Sequence, residues 1–231
     1  MSLHTLFLPD HDLTRDLLEI AGDEARHAVK VKRVEPGDSV RITDGRGKVV
    51  TAVVESVRPA FAARVQTREI EPPVNPRVEV YTATPKGPRL EDMIEMLSQA
   101  GVSRWSPLET TLGVVEPGAN KLERCERVAR ESAKQCGRAW LMEIGEPTSI
   151  GAALSPEKEC AVLVADADGE EVPREIGKAR VLVGPEGGFT PAELDQCRRA
   201  GAVLVRTGPH IMRIETAAVA AAVLCLGRRG G

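Results

Sequence analysis

The chain has 231 residues, of which 42% are hydrophobic and 28% charged, and a net charge of −3. That is enough apolar material for one large globular domain or two small ones. The charge excludes a uniformly basic surface of the kind that binds nucleic acid without specificity, and leaves room for a local basic patch.

No stretch approaches the ~18 consecutive apolar residues of a membrane span. The opening MSLHTLFLPDHD lacks the basic and then apolar pattern of a secretory leader. The five cysteines, Cys125, Cys136, Cys160, Cys197 and Cys225, form no CxxC pair. Neither a structural metal site nor a disulfide framework is expected, and scattered thiols fit a reducing compartment. A cytoplasmic protein without a membrane partner follows as the expectation.

In chain order, a short helix is predicted over 23–30, then strands over 39–43, 48–57 and 61–70. Asp44-Gly45-Arg46-Gly47 makes the turn between the first two. The segment Glu71-Pro72-Pro73-Val74-Asn75-Pro76 can continue neither a helix nor a central strand. It divides an N-terminal β-rich domain, 1–71, from a C-terminal domain, 77–231. Beyond it strands and helices alternate. A strand over 78–84 precedes a helix over 89–100 that Gly101 terminates. A long helix follows over 121–135. Apolar runs at 161–165 and 179–183 read as buried parallel strands. A helix over 191–200, a strand over 202–205 and a helix over 215–226 close the chain. The fold class is therefore α/β with a mainly parallel sheet, preceded by a small β-barrel-like domain.

Two strand-to-helix turns carry the chemistry. The first is Val183-Gly184-Pro185-Glu186-Gly187-Gly188-Phe189-Thr190-Pro191-Ala192-Glu193. Thr190 as N-cap, Pro191 at the first helical position and Glu193 three residues after the cap predict a capping box. The loop then lies at the C-terminal end of a parallel strand, where open α/β sheets bind ligands. It is neither a Walker A loop nor a GxGxxG fingerprint, so neither ATP nor NAD is indicated. The second turn, Thr207-Gly208-Pro209-His210-Ile211-Met212-Arg213-Ile214-Glu215-Thr216, leads into an alanine-rich helix. Taken singly, Glu215 suits a helix N-terminus and Arg213 a surface charge.

Together the two segments resemble the paired C-terminal motifs of the bacterial ribosomal small-subunit RNA uridine-N3 methyltransferase family, a branch of the SPOUT methyltransferases. The likeness extends over nearly the whole chain. His27–Arg33 with Pro36-Gly37-Asp38 is similar to that family's PUA-like RNA-binding module. Thr84–Glu91 with Ala100-Gly101-Val102 resembles its first strand–helix unit, and Lys134-Gln135-Cys136-Gly137-Arg138 its internal signature. The resemblance implies a trefoil-knotted SPOUT domain, a homodimer, and S-adenosylmethionine as methyl donor. It implies 16S rRNA or the 30S subunit as partner. Donor-binding positions carried over are Thr82, Val183, Gly184, Pro185, Glu186, Gly187, Gly188, Thr207, Gly208, Ile211, Met212 and Thr216. The chain departs from the family pattern at Thr5, Met96, Gln99-Ala100, Leu112 and His210, and several of these replace basic residues.

Uridine N3 becomes a nucleophile only when its proton leaves, and a guanidinium beside the developing negative charge on the uracil oxygens would stabilise it. Arg213 is the first candidate and Arg138 the second, with Glu215 orienting Arg213 or taking the proton. RNA contacts are expected from Arg26, Lys30, Lys32, Arg33, Arg46 and Lys86. The stretch 26–48 holds seven basic residues against three acidic ones, and its alternative reading is a solvated charged face. The basic residues of the long helix, Lys121 to Lys134, share their side with glutamates and read as a wet face. Methylation of another RNA, such as tRNA, or a non-catalytic role in RNA binding or ribosome assembly would also fit this fold. Every functional expectation depends on turns 184–189 and 207–213 meeting in one cleft.

Overall fold

The computed structural model describes residues 3–227; residues 1–2 and 228–231, the outer ends of the two expected domains, lie outside the described residues. The chain divides into two compact units, Met1–Pro73 with Ala133–Leu141, and Val74–Ser132 with Met142–Gly231. The proline-rich break at 71–76 coincides with the first change of unit. Residues 133–141 are a correction to the expected division, which had placed them in the C-terminal domain.

The first unit contains β1 (His4–Phe7), β2 (Leu17–Ile20), α1 (Gly22–Lys30), β3 (Ser39–Thr43), β4 (Lys48–Ser56) and β5 (Phe61–Ile70). Its five strands run in the order β1-β3-β4-β5-β2, antiparallel except for the β1–β3 pair. Strand β4 alternates buried and half-exposed positions, and Val50, Ala52 and Val54 join Leu6, Ile42, Phe61 and Ala28 in one core. Strands β1 and β2 escape sequence analysis because each has only four residues, too few for periodicity to register. The turn before β4 is held by Asp44, whose Oδ1 accepts from the amides of Arg46 and Lys48 at 2.7 and 3.1 Å. In the same unit Lys134 is nearly buried and pairs with Glu24 at 2.9 Å, which corrects its assignment to a wet helix face.

The second unit contains β6 (Arg77–Thr82), α2 (Arg89–Ala100), β7 (Arg104–Glu109), α3 (Ala119–Cys136, its last turn belonging to the first unit), β8 (Glu143–Ile144), β9 (Thr148–Ser149), α4 (Ile150–Ala153), β10 (Cys160–Glu170), β11 (Lys178–Val183), α5 (Pro191–Arg199), β12 (Val203–Val205) and α6 (Ile214–Leu226). The sheet order is β12-β10-β11-β6-β7-β8, with β9 also pairing β7, and every pairing is parallel. A parallel sheet is covered on both faces. Val78, Val80, Val181 and Val183 face α2, α3 and α6 in one cluster, while Tyr81, Val164 and Leu182 face α4 and α5 in another.

Strand β7, RWSPLE, was not anticipated because proline normally stays out of interior strands. Strand β8 pairs only Arg104 and Trp105, and β9 only Leu108 and Glu109. Pro107 sits in the gap between them, where no neighbour asks it for an N–H.

Candidate active site

The two turns meet. A cleft of about 340 Å³ at the C-terminal ends of β10, β11 and β12 is lined by Val183–Phe189 from the first turn and by Arg206, Thr207, Gly208, His210, Ile211 and Met212 from the second. Ala165–Asp168 from the end of β10 and Ile214 and Ala217 from α6 complete it. The convergence follows from strand order. Strand β10 lies between β11 and β12, so the loops that leave its two neighbours flank its own end.

The first loop is fixed from behind. Thr190 caps α5 by accepting from the Glu193 amide, and the Glu193 side chain accepts from the Thr190 amide at 2.7 Å, as the capping box requires. The other oxygen of Glu193 accepts from the Thr111 amide at 2.7 Å, tying the 110–118 segment to the helix start. Burial pushes the Glu193 carboxyl up, but the hydrogen bonds from Thr111 and Thr190 together outweigh it and hold it below the usual carboxylate range. Backbone conformation explains one of its glycines and side-chain crowding another. Gly188 has φ +74, and a Cβ on Gly184 would stand 3.1 Å from the Phe189 ring.

The second loop is less constrained. Arg213 is the N-cap of α6 in extended geometry, yet its side chain makes no cap bond. It is exposed, lies between two lining residues, and has no carboxylate within ion-pair distance among the described residues. Ile211 is 89% exposed, an apolar side chain standing at the cleft mouth with nothing packed over it.

Family comparison agrees with this geometry. A model of the RNA methyltransferase domain matches residues 72–225, two thirds of the chain. The chain belongs to the RNA methyltransferase family. The RNA methyltransferase PUA domain matches residues 20–61. The ribosomal RNA small subunit methyltransferase E of Mycobacterium bovis is 35% identical, over 93% of this chain and 86% of its own length. Among solved structures, a probable rRNA methyltransferase from Porphyromonas gingivalis aligns with TM-score 0.83 and 30% identity over 95% of each chain. The Neisseria gonorrhoeae ribosomal RNA small subunit methyltransferase E, solved with S-adenosyl methionine, shares the fold at TM-score 0.86 and 23% identity, over 96% of this chain and 95% of its own.

Within this RNA methyltransferase, the structure brings together ten of the twelve residues expected to hold a donor. Thr82 and Thr216 are the exceptions. Thr82 is fully buried in β6 and accepts a hydrogen bond from the Trp105 indole at 3.0 Å, and Thr216 points to solvent on α6 outside the lining. The expected pairing of Glu215 with Arg213 is also corrected. Buried Glu215 faces Arg89 at 3.6 Å, and its Oε2 has no hydrogen-bond partner among the described residues.

Arg89 was missed by sequence reading. It also lies 3.8 Å from Glu186, so one guanidinium stands between the first loop and the start of α6. Arg138 groups with the first unit and is not a lining residue; burial lowers its pKa from the ordinary guanidinium value. Arg26, Lys30, Lys32, Arg33 and Arg46 are exposed on the first unit, with Arg26 paired to Asp23, and Lys86 is exposed on the β6–α2 connection. Asp166 and Asp168 escaped notice because acidic residues after an apolar run read as the end of a strand.

Proposed function

We propose that this chain transfers a methyl group from S-adenosylmethionine to N3 of a uridine in 16S rRNA of the small ribosomal subunit. The observation that carries this reading is the convergence of the two turns at the C-terminal ends of adjacent parallel strands. The cleft fits the donor. It offers backbone N–H and C=O groups on glycine-bearing loops where a Cβ at Gly184 would crowd the Phe189 ring, and apolar walls from Val183, Met212 and Ala217. When bound, the donor supplies an electrophilic methyl group on a sulfonium centre.

The protein's part is positioning and charge. Glycine loop 184–188 and residues 207–212 hold a ligand between them. Arg213, at the rim and free of a carboxylate, stabilises the anion that forms as N3 loses its proton. Glu215, turned toward Arg89, positions the start of α6, and its Oε2, without a hydrogen-bond partner among the described residues, is the candidate acceptor of the N3 proton. Exposed basic residues of the PUA unit, Lys30, Lys32, Arg33 and Arg46 among them, together with Lys86, contact RNA phosphates. A knotted chain path, a homodimer, a cytoplasmic location and a 30S substrate belong to the same reading.

Titration calorimetry with S-adenosylmethionine, followed by nucleoside mass spectrometry of small subunits and of naked 16S rRNA after incubation with the protein, tests it. The expected result is a single binding event and a 3-methyluridine product. Binding of the donor without any methylated nucleoside in 16S rRNA would leave methylation of another RNA, such as tRNA, in its place, and no donor binding would leave a non-catalytic RNA-binding role.

A further inference from the structure

The cleft contains a feature that the resemblance did not supply. Strand β10 does not run straight along β12: Val205 pairs with both Ala165 and Glu170, so residues 166–169 leave the ladder and return to it. Gly169 makes the return feasible, because a Cβ there would stand 2.5 Å from the Val205 backbone. The Arg206 amide, bonded to the Glu170 carbonyl at 2.7 Å, closes the far side. Such excursions re-aim side chains beside functional sites. Here they bring Asp166 and Asp168 into the lining. The Asp168 amide donates to Asp166 Oδ1 at 2.9 Å, which fixes the pair relative to each other. Neither carboxylate has a cation within ion-pair distance among the described residues. The remaining charged or titratable lining residues are Glu186, which faces Arg89 at 3.8 Å, and Arg206 and His210.

We infer that Asp166 and Asp168 set the cleft's preference for a positively charged methyl donor over its neutral demethylated product. The inference rests on the reading of this cleft as the donor site. S-adenosylmethionine carries a sulfonium and an ammonium against one carboxylate, a net charge of one. After the methyl group leaves, the sulfur is an uncharged thioether and S-adenosylhomocysteine is net neutral. Two unpaired carboxylates in a part-buried cleft favour the first ligand over the second, and the preference helps exchange spent product for fresh donor. Hydrogen bonding to ribose hydroxyls, by contrast, would act on both ligands alike.

The test is calorimetry of the full chain and of its D166N/D168N variant with S-adenosylmethionine and, separately, S-adenosylhomocysteine. Asparagine at 166 keeps the oxygen that accepts the Asp168 amide, so the loop is retained, and circular dichroism checks the fold. The expected result is a fall of roughly five- to tenfold in the ratio of donor to product affinity. In the unaltered chain that ratio should also shrink as salt is raised. D168N alone, at an exposed position, should shift it in the same direction by less, and carries the test if the double variant does not fold. Equal weakening of both ligands, or an unchanged ratio, overturns the inference while leaving the donor site intact. Failure of the unaltered chain to bind either ligand overturns the donor-site reading itself.

Discussion

The glycine loop enters its helix through a fully satisfied start, with Thr190 and Glu193 each bonding the other's amide and Pro191 presetting the first turn. Residues 207–213 enter α6 through Arg213, whose side chain makes no cap bond, with Ile211 almost wholly exposed before it. One wall of the cleft is thus set by a capped helix start, and the other by a weaker tie, the Thr207 hydroxyl donating to the Met212 sulfur at 3.9 Å. A rigid wall can present backbone groups at fixed positions, and a looser one can adjust to a substrate that arrives from outside. Arg89 is the side chain within ion-pair distance of both, through Glu186 and Glu215.

Substitutions in the two loops separate these roles. The largest effect is expected for Arg213→Ala, which should lower kcat/KM for methyl transfer by roughly 100- to 1000-fold. Donor affinity by calorimetry should stay within about threefold, because cap geometry at this position uses only the backbone. Loss of donor binding with normal turnover per bound donor would assign Arg213 to the wrong wall.

Arg89→Ala should come next. It leaves Glu215 buried without a counter-charge, and should lower unfolding stability by about 1–3 kcal/mol in urea titrations. It should also weaken donor binding, since both loops lose a shared partner. If binding is untouched, the two walls are independent.

Glu193→Ala should cost about 1–2 kcal/mol by removing the capping box and the Thr111 tie. The acid limb gives a sharper reading. The folded carboxyl titrates below its ordinary value of 4.5, so its contribution is fully present above that value. It fades as the pH falls below 4.5 through the lowered folded value. Glu193→Gln should flatten stability against pH in that window, and an unchanged acid limb would show that the carboxylate charge is not what holds the loop. The smallest effect is expected for Gly188→Ala, about 1 kcal/mol in thermal unfolding, from placing a Cβ at φ +74.

Much of this was legible in the sequence. The capping box at Thr190–Glu193, the left-handed end of α2 at Gly101 and the apolar runs of β10 and β11 are local, because neighbouring residues decide them. The break at 71–76 was equally plain, since three prolines forbid regular structure whatever surrounds them. Strand β7 was not legible, because the permission for Pro107 comes from the spacing of β8 and β9. Nor was the burial of Lys134, which depends on Glu24, a residue 110 positions away.

What the sequence determined alone is the set of parts: two glycine-bearing turns, their helix starts, and the alternation that makes an α/β sheet. Tertiary structure decided their arrangement. It placed β10 between β11 and β12, turned Glu215 toward Arg89, and looped Asp166 and Asp168 into the cleft. Caps and turns are settled by hydrogen bonds a few residues apart. Strand order and ion-pair partners depend on which distant segments share a core, and no short stretch of chain carries that information.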